Sequence, residues 1–179
     1  QRYEDKARTS GARIVHCCGF DSIPSDLGVY FLQQHALQRF GQPCMRVKMR
    51  VRAMRGGFSG GTVASLMNVI KEASADPALR KELANPYSIC PAGYAPKLRQ
   101  PSVSSAQFDP DFQAWIAPFV MSAINSRVVQ RSNALFGQAY GADFVYDEAV
   151  LSGRGFKGRL AAAGMTAGRP DHVGLSIAV

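Results

Sequence analysis

A chain of 179 residues with 46% hydrophobic residues suits one packed domain, or a domain with part of another, and is too apolar for intrinsic disorder. No apolar run reaches the roughly 20 residues that cross a bilayer, the opening residues are polar and charged rather than a secretory signal, and four cysteines without a C-x-x-C pair fit a reduced, cytoplasmic setting. A net charge of +8 favours anionic partners: phosphorylated cofactors, acyl thioesters with a nucleotide handle or acidic lipid surfaces, the last allowing peripheral membrane contact. Basic residues without interleaved aromatics or a known module argue against specific nucleic-acid recognition.

In chain order, Gln1 to Ser10 reads as the back of a helix closed by Gly11. Arg13 to Cys18 is a short β-rich run, expected to be a parallel strand whose partners lie before Gln1. Asp21, Ser22, Pro24, Ser25 and Asp26 signal a helix start, with Leu27, Tyr30, Phe31 and Leu37 carrying the helix to about Phe40. Cys44 to Met54 alternates apolar and basic residues, as a half-buried strand does. Thr62 caps a helix through Leu66 and Ile70, and Asp76-Pro77 starts a short one. Asn85 to Asp111, rich in proline and serine, reads as a long loop. Phe112 to Leu135 reads as one long helix, with Trp115, Phe119, Ile124 and Val128 on a buried face, ended by Gly137. Phe144 to Leu151 is a strand, Phe156 to Met165 a helix and Val173 to Val179 a last strand.

Five segments are candidates for chemistry. Gly19 to Asp26 lies where a strand ends and a helix begins, the usual ligand position of open α/β sheets; plain capping by Ser22 and Ser25 is the competing reading. Gly56 to Thr62 presents four glycines at a strand-to-helix turn, able to aim N–H groups at an anion or simply to turn tightly. Arg127 and Arg131, four apart, share a helix face and could clamp an anion, or could favour the negative end of the helix dipole. The basic run Arg46, Lys48, Arg50 and Arg52 is a phosphate stripe or a solvated sheet face. Gly153-x-Gly155-x-x-Gly158 matches the dinucleotide fingerprint literally. The acids Asp147 and Glu148 in the strand before it, unsuited to a buried parallel strand, make it a glycine-rich turn instead. His16, Cys17 and Cys18 alternate faces on a strand, so no metal site is expected.

Taken together, CCGFDSIPSDLG (17–28), GGFSGGTVAS (56–65), ANPY (84–87), INSRVVQRSNAL (124–135) and YGADFVYDE (140–148) resemble the saccharopine dehydrogenase-like oxidoreductases, including the trans-acting enoyl reductases. That resemblance implies an α/β to α+β fold. Residues 1–41 would be the end of a Rossmann-type dinucleotide-binding domain, and 42–179 an α+β substrate-binding and dimerisation domain. It also implies that the chain is a fragment whose glycine fingerprint lies upstream. NADP or NAD would be the cofactor, bordered by Gly19, Phe20, Asp21 and Ser22. Gly57, Ser59, Gly60, Thr62, Asn125, Arg127 and Arg131 would face an acyl or polyketide-type substrate of lipid metabolism. The proton donor would come from Asp21, Ser22, Tyr87 and Tyr140. A homodimer is expected, and a non-catalytic dimerising or lipid-associated module that kept the fold is the alternative.

Overall fold

The computed structural model describes residues 3–19, 22–53, 60–94, 96 and 98–167, with only the backbone described at Thr62, Val63, Leu66 and Ile70. Helix α1 (Glu4–Ser10) closes on Gly11, whose left-handed φ of 69° lets its N–H turn back to the helix carbonyls, as the sequence predicts. The strand expected over 13–18 is absent. Ile14 and Val15 stand 62% and 72% exposed, and Cys17 takes a positive φ of 60°. Among the described residues no strand pairs with them, and β-propensity without a partner strand does not make a strand.

Helix α2 (Ile23–Phe40) starts with Pro24 in its first turn and ends on left-handed Gly41. It is followed by β1 (Arg46–Val51), α3 (Gly60–Ala75) and α4 (Pro77–Ala84). The Asp76 carboxylate caps α4 by accepting from the N–H groups of Ala78 and Leu79 at 2.8 and 3.2 Å. The long loop then yields β2 (Gln107–Asp109). The helix expected from Phe112 does not begin there. Residues Ala114–Pro118 form β3, and only Ser122–Leu135 is helical, as α5. A Pro110–Gln113 turn, with Gln113 at φ 51°, folds β3 back on β2. Pairing of Trp115 with Phe108 in that hairpin outweighs a helical spacing of apolar residues that was coincidental. Strand β4 (Val145–Gly153) and helix α6 (Gly155–Ala167) follow.

The four strands form one mixed sheet in the order β1-β4-β3-β2, with β1 parallel to β4 and the other pairs antiparallel. Because β3 pairs with β4 only from Ala149 onward, the start of β4 needs another partner. The Gln100 side chain supplies it, accepting from Tyr146 N–H and donating to the Phe144 carbonyl, both at 3.0 Å. One sheet face carries Val47, Tyr146 and Glu148. There Val29 of α2 and Val129 of α5 pack with Val47, Tyr140, Phe144 and Tyr146 into the larger core cluster. Helix α6 packs against β3 and β4. The described residues are therefore a mixed α/β assembly.

The opposite face holds Lys48, Arg50 and Asp147, and it is neither solvated nor a phosphate stripe. The side chains of Arg50, Asp109 and Asp147 are 2–3% exposed. Arg50 Nη2 lies 2.9 Å from Asp109, and Nη1 lies 2.6 Å from Asp147 in a charge contact without hydrogen-bond alignment. Lys48 reaches Asp109 at 3.2 Å and also meets Asp111. Burial alone would raise the Asp109 carboxyl, but hydrogen bonds from Arg50, Lys48 and the Asp111 N–H outweigh it and hold it below the usual carboxylate value. Arg46 adds a looser contact to Asp147 at 3.9 Å, while Arg52 is exposed. The acids that argued against a buried β4 are thus accommodated, Asp147 by the cations of β1 and Glu148 by hydrogen bonds on the other face.

Candidate functional site

Three of the sequence segments singled out above converge where the N-terminus of α2 meets α5 and β4. Ser22 sits at the N-cap position of α2, yet its side chain makes no cap hydrogen bond. The cap is made by the backbone instead: the N–H groups of Ser22 and Ile23 turn back to the Gly19 carbonyl at 3.2 and 3.0 Å. The Ser22 hydroxyl points inward and donates to Asn125 Oδ1 at 3.1 Å. Asn125 Nδ2 in turn donates to Glu148 Oε2 at 3.0 Å. The Tyr146 phenol donates to the other oxygen of Glu148 at 2.5 Å, and Ser25 hydrogen-bonds the same phenol.

The chemistry of the chain orients it. A carboxylate only accepts, so the Asn125 amide must turn its NH2 to Glu148 and its oxygen to Ser22. The single Ser22 proton is thereby committed inward. All five side chains are buried, with Glu148 and Tyr146 at 0% and Asn125 at 1% exposure. Burial first, and then the adjacent Glu148, push the Tyr146 phenol far up, so it keeps its proton and stays a donor.

A second rung joins the same segments further along α2. Ser132 on α5 donates to Asp26 Oδ2 at 3.0 Å. The other Asp26 oxygen and the Tyr140 hydroxyl are buried without a hydrogen-bond partner among the described residues. Burial raises the Asp26 carboxyl. Burial and then the Asp26 charge push the Tyr140 phenol up to about 12. Tyr140 is 1% exposed and stacks edge-on to Phe144 inside the core.

The remaining candidates lie elsewhere. The Tyr87 phenol donates to the Leu98 carbonyl and accepts from Gln100, both at 2.8 Å, closing the loop after α4. Arg127 donates to the carbonyls of Leu83 and Asn85, and Arg131 to that of Ile89. The paired guanidiniums thus tie α5 to the end of α4 and the following loop. Gly60 is exposed at the start of α3. Phe20, Asp21, Gly57 and Ser59 lie outside the described residues, as does the side chain of Thr62. A cleft of about 530 Å³ is lined by Tyr94, Pro96, Leu98, Gln138 and Asp143 among others, and another of about 510 Å³ by Lys81, Glu82 and Asn85 among others. Neither shares a residue with the Ser22–Glu148 chain. Among the described residues no group of three His, Cys, Asp or Glu side chains comes together to hold a metal ion.

Comparison with known proteins bears directly on these segments. The chain is 43% identical over 157 residues to a Mycobacterium tuberculosis protein named "Putative trans-acting enoyl reductase", covering 84% of this chain and 38% of that protein. It is 36% identical over 180 residues to the trans-acting enoyl reductase of Mycobacterium ulcerans, covering 97% and 43%, and 35% identical over 182 residues to that of Mycobacterium bovis, also covering 97% and 43%. The chain is a homologue of the trans-acting enoyl reductases. It spans about two fifths of the length of these relatives. No family model and no solved structure matches it.

Glu148 and Tyr146 are the members of this buried chain that sequence reasoning missed. Both stood in the segment YGADFVYDE, but two acids in an apolar strand were read as evidence against burial rather than as a buried polar site. The Gly153–Gly158 turn, by contrast, is glycine-rich for packing. A Cβ at Gly158 would lie 2.2 Å from the Gly153 carbonyl oxygen, so the helix needs glycine there to approach its own strand. At Gly19 a Cβ would meet nothing within 4 Å, so the protein's own packing does not call for glycine.

Proposed function

We propose that this chain is the substrate-proximal part of an NAD(P)H-dependent trans-acting enoyl reductase of the saccharopine dehydrogenase-like kind. In this reading residues 1–41 close a Rossmann-type domain, residues 42–179 form the substrate and dimerisation domain, and the rest of the dinucleotide is held outside the chain. The observation that carries the reading is that Ser22, Asn125 and Glu148 join in one buried chain. Each comes from a different one of the sequence segments that resemble the family.

A nicotinamide cofactor supplies the hydride for reducing a carbon–carbon double bond. The protein's part is to border the ring with Gly19, Phe20, Asp21 and Ser22 and to hold the acyl substrate near Gly57, Ser59, Gly60 and Thr62. Ser22 and Asn125 serve here by fixing the turn rather than by giving up a proton. Arg127 and Arg131 hold the loop after α4 as a wall. Of the proton-donor candidates, Tyr87 and Ser22 already donate to protein acceptors. Tyr140, 1% exposed inside the core, is out of a substrate's reach, so Asp21 and water remain as donors.

The test is reduction of enoyl thioesters by the complete protein with NADPH or NADH, followed by loss of nicotinamide absorbance. Turnover with either supports the reading, and no turnover across a panel of acyl lengths with no cofactor binding removes it. A second reading is the non-catalytic, dimerising or lipid-associated module. It draws on the exposed apolar side chains of α2 and α6: Leu27, Phe31, Phe156 and Leu160 are 54–74% exposed. Dimerisation or vesicle binding without nucleotide binding would favour it.

A further inference from the structure

Helix α6 leaves β4 after a single residue and rests on the sheet through its smallest side chains. Gly158 and Ala162 are its buried positions, and Gly158 lies so near the Gly153 backbone that no side chain fits between them. With about 3.6 residues per turn, that seat places Phe156, Leu160, Ala163 and Gly164 on the side turned away from the sheet. All four are exposed, Phe156 at 72% and Leu160 at 57%. Lys157 and Arg159 stand on the two edges of this stripe and Arg154 at its N-terminal end, all three exposed. From Gly153 to Ala167 the sequence holds no acid. Among the described residues none of the three cations pairs with an acid from elsewhere. The Arg159 guanidinium lies over the Trp115 ring at 5.5 Å, which keeps its charge beside the stripe.

Charge decides what this face fits. Two copies packed stripe to stripe would bring their Lys157 and Arg159 rims together, and lysine is depleted from protein interfaces. Helix α2 makes the contrast. Its exposed Leu27, Tyr30 and Phe31 have no basic rim, because no lysine or arginine precedes Arg39 in that helix. An apolar stripe between cations is complementary to an anionic lipid surface, which takes the rings into the acyl boundary and the cations at its phosphates. Among the described residues no helix is long and apolar enough to cross a membrane, so α6 meets such a surface lying along it.

We propose that the outer face of α6, Phe156 and Leu160 between Lys157 and Arg159, docks the protein on an anionic phospholipid surface. The face shares no residue with the Ser22–Glu148 chain. The proposal goes beyond the enoyl reductase reading and holds whether or not the protein reduces an acyl substrate.

The experiment is co-sedimentation of the complete protein with vesicles of phosphatidylcholine alone and of phosphatidylcholine mixed with phosphatidylglycerol. The protein is expected on the mixed vesicles and not on the neutral ones, and high salt should release it. Phe156→Gln should weaken the partition about tenfold or more, as loss of one buried ring does. Lys157→Gln should weaken it about fivefold, the contribution of one lysine near a charged surface. Phe156→Trp should keep the partition, with emission moving to the blue on mixed vesicles. Thermal unfolding of Phe156→Gln should match that of the unmodified protein, because an exposed ring holds nothing in place. Absence of the unmodified protein from mixed vesicles, or equal partition of Phe156→Gln, overturns the proposal. A lowered unfolding temperature in Phe156→Gln puts the face under protein and overturns it too. So does a dimer, seen by light scattering, that Phe156→Gln dissociates with partition unchanged. None of these outcomes bears on nucleotide binding, which tests the reductase reading separately.

Discussion

The two faces of the central sheet bury charge in opposite ways. On one, Arg46, Lys48 and Arg50 meet Asp109, Asp111 and Asp147, three cations to three acids. On the other, Glu148 is buried with hydrogen bonds but no cation among the described residues. A neutralised network holds strands together and needs nothing further from outside. A carboxyl group buried without a cation depends on its hydrogen bonds instead, and Glu148 lies at the inner end of the chain that runs through Asn125 to Ser22. The difference separates an ion-paired cluster from a hydrogen-bonded one, although both are invisible as pairs in the sequence.

The comparison can be broken most forcefully at Arg50. Arg50→Met leaves Asp109 and Asp147 buried without their main partner, and urea unfolding should show a loss of about 3–5 kcal/mol. Nucleotide affinity of the folded fraction should stay as it was. Glu148→Gln should do far less, with stability held within about 1 kcal/mol, since a glutamine keeps the volume and can still accept from Asn125. Equal destabilisation by the two variants would erase the distinction between the faces.

pH sharpens it further. Asp109 is held below its ordinary value, so its contribution is present above the unfolded carboxyl range and lost as pH falls through the lower folded value. Asp26 is raised by burial, so its contribution is present at acid pH and lost as pH rises through the folded value. Thermal unfolding should therefore show Asp26→Asn stabilised at neutral pH, by about 2 °C after allowance for its partial exposure. The gain should vanish below about pH 4, where the native carboxyl is itself protonated. The smallest effect is expected at Arg127. Arg127→Ala frees the carbonyls of Leu83 and Asn85, and limited proteolysis should cut after α4 sooner, at a stability cost of about 1 kcal/mol.

Much of this was legible locally. The glycine stop of α1, the cap-and-proline start of α2, the Asp76 cap of α4 and the strand at β4 followed from short-range chemistry. Strand β3 was not, because Trp115, Phe119, Ile124 and Val128 imitate a helical stripe while the Asp109-Pro110-Asp111 turn signal was absorbed into a loop. Ser22 and Asn125 were visible as candidates. Their partnership was not, because 103 residues separate them and hydrogen-bond direction is set only once Glu148 is in place.

The most direct test of the central claim is fluorescence titration of NADPH and NADH into the complete protein and into this 179-residue chain. The account predicts that the complete protein binds one of them tightly and that this chain binds far more weakly, since it borders only the nicotinamide end. No binding by the complete protein would contradict the oxidoreductase reading. Equally tight binding by this chain alone would contradict the assignment of most of the dinucleotide site to residues outside it.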